Sequence, residues 1–190
     1  MGEVDLAALA ADVRYLKDRA DIIDALTRYT RGLDRLDKEL MRSAYHPHAT
    51  DDRGNAYHPH GYPNPLGREA RVDWLIDAVG PYFHCSHHIS NFTIDIQGDE
   101  AHCEAYVITT QIAAEGDEVA TLGCARYMDR LERIDGYWAI AHREVNMDFQ
   151  FTVPTNKMAP DVLPGFRDRS DRTYARPLTP SAEALARSRA

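Results

Sequence analysis

The sequence predicts an α+β fold, with N-terminal helices packed in a curved antiparallel sheet. Three observations carry that expectation. Apolar residues recur at helical spacing early in the chain, the pattern changes to strict alternation near Phe92, and tight-turn signals at Gly98-Asp99, Glu115-Gly116-Asp117 and Asp135-Gly136 divide the alternating region. Four long strands joined by three such turns make a meander.

Taken in order, Asp5 to Leu36 reads as one helix. Ile22, Leu26, Tyr29 and Leu33 form its buried stripe, Asp24, Arg28, Arg31 and Arg35 lie mostly off it, and Gly32 loosens the last turn. Lys38 to Tyr45 reads as a second short helix with Leu40, Met41 and Ala44 inward, stopped by His46-Pro47 because a residue before proline avoids the helical region. Residues 46 to 67 are dense in Pro, Gly, Asn and Asp, which predicts a short strand or hairpin near Ala49 to Tyr57 and then a loop. Gly67 to Phe83 is amphipathic, with Val72, Leu75, Ile76 and Val79 inward and Trp74 at its edge. Strands follow at Phe92 to Ile96, Cys103 to Ala113, Val119 to Ile134 and Tyr137 to Phe149.

A chain of 190 residues that is 44% hydrophobic is long enough for one compact domain, assigned to residues 1–150. Residues 151–190 hold half of the ten prolines and seven Lys/Arg against four Asp/Glu. This tail is expected to lie along the acidic body or a neighbouring subunit. A net charge of -8 argues against a nucleic-acid surface, and a small molecule or protein partner fits better. The acidic start Met1-Gly2-Glu3-Val4-Asp5 and the lack of a bilayer-length apolar run argue against a signal peptide or membrane span. Cys85, Cys103 and Cys124 have no paired spacing, which suits reduced thiols in a cytoplasm.

Three histidines, His84, His87 and His88, sit where the helical pattern gives way to the strand pattern. Neighbouring strand residues face opposite sides, so one of His87 and His88 should reach a pocket; His87 is preferred and His88 is its rival. Two Tyr-His-Pro-His copies, at 45–48 and 57–60, supply His46, His48, His58 and His60, but a proline inside each copy points to turn chemistry rather than metal binding. There is no glycine-rich phosphate loop, nucleophile elbow, or zinc or calcium motif, which favours acid-base chemistry without a cofactor or metal.

Ile23 to Asp37, His87-x-x-x-Asn91, and Asp135-Gly136-Tyr137-Trp138-Ala139-Ile140 followed by Arg143 together resemble the SnoaL-like branch of the NTF2-like superfamily, over about residues 8 to 150. The resemblance implies an NTF2-like cone-shaped α+β barrel with a deep apolar pocket, and a homodimer or higher homo-oligomer, often through the outer face of the sheet. Within the branch the chain is similar to lyases resembling bile-acid 7α-dehydratase, hexachlorocyclohexane dehydrochlorinase and scytalone dehydratase. In the first two of these, an Asp on the first long helix pairs with a His at the sheet entrance. Asp34 and His87 match those positions, and Tyr29, five residues before Asp34, matches the dehydratase pattern. The chain departs from the bile-acid enzyme at Tyr106-Val107-Ile108-Thr109, where that enzyme carries a further acidic residue.

A general base needs a pKa near the working pH, and histidine meets this with the least perturbation. His87 is therefore assigned as the base and Asp34 as the carboxylate that fixes its tautomer and stabilises its imidazolium. Tyr29 is expected to polarise a substrate oxygen or assist a leaving group. His88, Arg143, Tyr106 and Trp74 complete the expected substrate contacts. Arg143 by alternation falls on the face opposite Trp138 and Ile140, where ion pairing is favoured over substrate binding, and Asn91 is expected to hold a backbone turn. The function expected is a dehydratase-like lyase acting on a small apolar cyclic, aromatic or steroid-like substrate. A ketosteroid-type isomerase and a non-catalytic binding or assembly module are the alternatives.

Overall fold

The computed structural model describes residues 4–54, 67–116, 118–156, 162–181 and 184. Its elements are α1 (Leu6–Asp34), α2 (Lys38–Arg42), β1 (Tyr45–Asp52), α3 (Arg68–Val79), β2 (His84–Gln97), β3 (Glu100–Ile112), β4 (Val119–Ile134) and β5 (Tyr137–Pro154). The strands form one sheet in the order β1-β5-β4-β3-β2. The meander from β2 to β5 is antiparallel, and β1 joins its edge parallel to β5.

Helix α1 starts at Asp5, whose carboxylate accepts the N–H groups of Ala7 and Ala8 and so caps two orphan donors. The helix ends in a Schellman motif. Leu36 takes a left-handed φ of 52°, the Asp37 N–H donates to the Gly32 carbonyl, and the Leu36 N–H donates to the Leu33 carbonyl. That stop leaves Asp34 on the last helical turn. Ile22, Leu26, Tyr29 and Leu33 are buried as the stripe predicts, and α1 packs against β2 and β5. Gly32 does more than loosen a turn. A Cβ there would meet the Met41 backbone nitrogen at 2.7 Å, so glycine is what lets α2 pack this closely on α1.

Asp18 fastens the middle of α1 to the β4–β5 turn, accepting from Trp138 Nε1 at 3.0 Å and Arg133 Nη1 at 2.6 and 2.7 Å. That turn is Asp135-Gly136, with φ of 53° and 78°, the two left-handed residues that match the twist of a hairpin.

Three sequence expectations are corrected. The second helix stops at Arg42, and strand β1 has begun by Tyr45. Pro47 is tolerated because β1 is an edge strand whose register shifts between Tyr45 and Thr50, so no central ladder bond is lost. Of the strand or hairpin expected near Ala49 to Tyr57, the strand is present as β1, but it starts earlier, at Tyr45, and ends at Asp52; residues 55–60, with His58 and His60, lie outside the described residues. Finally, Arg143 does not face away from Ile140. Leu131 pairs with Ile140 and Arg130 with His142, so Ala141 is an unpaired bulge residue that turns Arg143 inward, where it is completely buried.

His46 and His48 stack on one another and bond the carbonyl and carboxylate of Glu132, at 2.8 and 3.0 Å. Asn91 has φ of 53° and lies in a bulge between Ser90 and Thr93, the backbone role expected of it.

Candidate active site

The end of α1 and the start of β2 meet at Asp34 and His87. Strand alternation sends Cys85 and His87 toward the concave side, and the Asp34 carboxylate reaches residue 87 with both oxygens. Oδ1 lies 2.6 Å from His87 Nδ1, and Oδ2 accepts the His87 backbone N–H at 3.0 Å. The side chains are 12% and 7% exposed. With Nδ1 engaged by the carboxylate, Nε2 is the ring nitrogen left for the cavity.

Burial alone would lower the His87 pKa. The hydrogen bond that His87 donates to Asp34, contact with Cys85 and the carboxylate charge outweigh it, and the pKa is pushed up to about 10. At neutral pH the resting pair is therefore an imidazolium against a carboxylate.

His87 opens onto a cavity of about 460 Å³, a size suited to a small organic ligand. Leu33, Leu75, Val79, Val145 and Met147 give it apolar walls, Trp74 and Tyr82 add aromatic surface, and Arg53, Thr109, Gln111 and Tyr127 supply polar groups.

Cys85 Sγ lies 3.9 Å from His87 Nδ1, so Asp34, Cys85 and His87 together offer three potential metal-ligand atoms. The spacing does not suit an ion. Two ligand atoms about 2 Å from a tetrahedral metal stand roughly 3.3 Å apart, whereas the Asp34–His87 separation of 2.6 Å is that of a charge-assisted hydrogen bond.

The SnoaL-like domain family matches residues 14–144, more than half of the chain, a segment that holds the dyad and most of the cavity lining. The chain belongs to this family. Solved structures place its fold among NTF2-like proteins. A hexachlorocyclohexane dehydrochlorinase (LinA type 2) is 21% identical over 80% of this chain and 99% of its own, with a TM-score of 0.67. A candidate scytalone dehydratase from Novosphingobium aromaticivorans is 21% identical over 78% and 94%, with a TM-score of 0.62. An NTF2-like protein with a cystatin-like fold, from the same species, is 21% identical over 77% and 92%, with a TM-score of 0.63. The sequence matches no curated protein. Among the described residues, no helix is long and apolar enough to cross a membrane.

In this SnoaL-like chain the expected site residues divide into three groups. His87 and Trp74 line the cavity, and Asp34 stands behind His87, bonded to its Nδ1. Tyr29 and Arg143 lie beneath it. Tyr29 is wholly buried, edge-on to the rings of Tyr45 and Tyr127, and does not line the cavity; its hydroxyl accepts from Arg53 Nη2 at 3.0 Å. Arg143 is held by Asp129 through two bonds of 2.7 and 2.9 Å, with its guanidinium 4.1 Å from the centres of the Tyr29 and Tyr127 rings. His88 and Tyr106 form the third group and point away from the cavity. Alternation that turns His87 and Val107 inward turns these two outward, and both are exposed.

Several functional residues went unnoticed in the sequence. Asp51, on β1, accepts from Arg53 at 3.0 and 3.2 Å and from Arg71 at 3.0 Å. Arg71 had a readable signal, because it stands one turn before Leu75 on the apolar stripe of α3 and is entirely buried. Arg53 follows β1 in an irregular segment and had none. From the tail, Arg167 donates to the carbonyls of Asp34 at 3.1 Å, Val79 at 2.8 Å and Tyr82 at 2.6 Å, joining the ends of α1 and α3 to the approach to β2. Burial lowers its pKa from the ordinary arginine value.

Proposed function

We propose that the protein is a cofactor-independent, dehydratase-like lyase acting on a small, largely apolar cyclic, aromatic or steroid-like substrate. The observation that carries this reading is the buried Asp34–His87 pair opening onto a largely apolar cavity.

In the reaction, deprotonated His87 Nε2 takes a proton from a substrate carbon, the C–H electrons form a C=C bond, and the neighbouring C–O bond breaks. The proton then passes from Nε2 to the departing hydroxide, which leaves as water. Asp34 holds the ring orientation and stabilises the imidazolium between the two steps. The strong preference for the protonated ring makes proton abstraction favourable, while limiting the fraction of enzyme that is deprotonated at neutral pH. Tyr29, away from the cavity wall, acts on substrate through Arg53 as a positioning residue.

In the tail beyond β5, residues 162–181 serve as a strap, supported by Arg167 and by Arg169 and Tyr174, which both bond Asp37. Self-association into a homodimer or higher homo-oligomer is part of the same reading. Its support is the exposed apolar surface at Ile108, Phe149 and Phe151 on the sheet and at Leu6, Leu9, Val13 and Leu16 on α1. Three free cysteines accord with a cytoplasmic setting.

The test is mass spectrometry of hydroxylated steroids, β-hydroxy carbonyls, aromatic diols and halogenated rings after incubation in heavy water, with His87→Ala alongside. Loss of a neutral fragment that requires His87 is expected. Deuterium uptake without mass loss would instead identify an isomerase, and binding with no His87-dependent conversion in any class would identify a binding module.

A further inference from the structure

The polar floor of the cavity carries more positive than negative charge. Arg53, Arg71 and Arg143 bring three guanidinium groups, while Asp51 and Asp129 bring two carboxylates. Asp129 is committed to Arg143, and Asp51 is divided between Arg71 and Arg53. The segment between β1 and α3, residues 55–66, contains no Asp or Glu in its sequence. The Asp34–His87 pair, an ion pair at neutral pH, contributes no net charge. Among the described residues, three guanidinium groups therefore meet two carboxylates, in surroundings where Asp51, Arg71, Asp129 and Arg143 are all almost wholly buried.

Arg53 is where that charge meets the cavity. Arg71 and Arg143 are completely enclosed, whereas Arg53 is 15% exposed and forms part of the cavity wall, as does His87. Its guanidinium is braced by Asp51 from one side and by the Tyr29 hydroxyl from another, so its position is set before a ligand arrives. The surplus charge also acts on Tyr29. Complete burial would raise the pKa of that phenol, but Arg53 and Arg143 overcome the effect and lower it below the ordinary tyrosine value.

We propose that Arg53 anchors an anionic oxygen of the substrate, so that the cavity selects an apolar ring compound bearing an acidic oxygen over its neutral analogue. The inference deepens the lyase reading and rests on it for the word substrate; the binding preference itself does not depend on turnover. Arg53 receives the acid group, the apolar wall from Leu33 to Met147 takes the ring, and His87 faces the same space from β2. A guanidinium suits this role because its planar fork can keep Asp51 on one edge and offer charge to a second oxyanion.

The experiment is calorimetric titration of the full-length protein at pH 7.5 with benzoate, cinnamate and 2-naphthoate, each beside its primary amide. Wild type, Arg53→Gln and Arg53→Lys are compared. In wild type, at least one acid should bind about tenfold or more tightly than its amide. Arg53→Gln should abolish that preference while leaving amide affinity unchanged. If Arg53→Gln does not fold, Arg53→Lys decides, because loss of the planar fork should weaken acid binding about fivefold or more with amide binding intact. Absence of an acid preference in every wild-type pair overturns the proposal, as does a preference that survives both Arg53 substitutions. Acid binding that requires Arg53, without elimination on any substrate, would reject the lyase reading alone.

Discussion

The carboxylate of Asp34 holds residue 87 at two points, its backbone N–H and its ring Nδ1, across 53 positions of sequence. One side chain therefore fixes both the path of β2 as it enters the sheet and the orientation of the imidazole. Asp34→Asn keeps the size of the group and removes its charge. Turnover is expected to fall by about 10²- to 10⁴-fold with the fold retained. Steady-state kinetics beside circular dichroism checks this, and a wild-type rate in the variant would remove Asp34 from the mechanism.

The pH dependence of the rate follows from the pKa of about 10 at His87. A base held protonated at neutral pH gains active fraction as pH rises, so log kcat/KM should climb about one unit per pH unit toward pH 10. A profile that is flat from pH 6 to 9 would show that His87 does not work as the base.

Stability should run the opposite way. Folding raises the His87 pKa from 6.5 to about 10, so its contribution is complete below about 6.5 and is lost as pH rises through the folded value. Urea titrations at pH 6 and pH 9.5 should show wild type losing more stability over this interval than His87→Ala. Equal losses would mean that Asp34 does not stabilise the imidazolium.

Gly32 is required by the closeness of α2, because a Cβ would press on the backbone and Cβ of Met41. Gly32→Ala should destabilise the protein by about 1–3 kcal/mol despite alanine's better helix propensity. An unchanged urea midpoint would show that the two helices can part at no cost.

Arg167 bonds three carbonyls around the dyad. Arg167→Met should lower stability by roughly 1–3 kcal/mol and reduce kcat more than it changes KM. Arg167→Lys should restore only part of this, since an ammonium cannot span the same three acceptors. Full recovery with lysine would mean that charge, and not the geometry of the fork, is what matters.

Much of the molecule was legible in local pattern. The α1 stripe, the inward face of α3, the β4 boundaries and the Asp135-Gly136 turn follow from periodicity and turn chemistry, which act between near neighbours. Resemblance brought Asp34 and His87 together, and the parity of strand residues said that one of His87 and His88 reaches the pocket; the structure decides for His87. The same parity failed at Arg143, because the extra residue Ala141 resets the count and a bulge leaves no periodic mark. Parallel pairing of β1 with β5 and the sharing of Asp51 by Arg53 and Arg71 likewise depend on segments distant in the chain. The sequence by itself determined the helices, the meander and the residue types of the dyad. Tertiary structure decided which charges are buried together and which one faces the cavity, because Coulomb interactions depend on distance in space and leave no period along the chain.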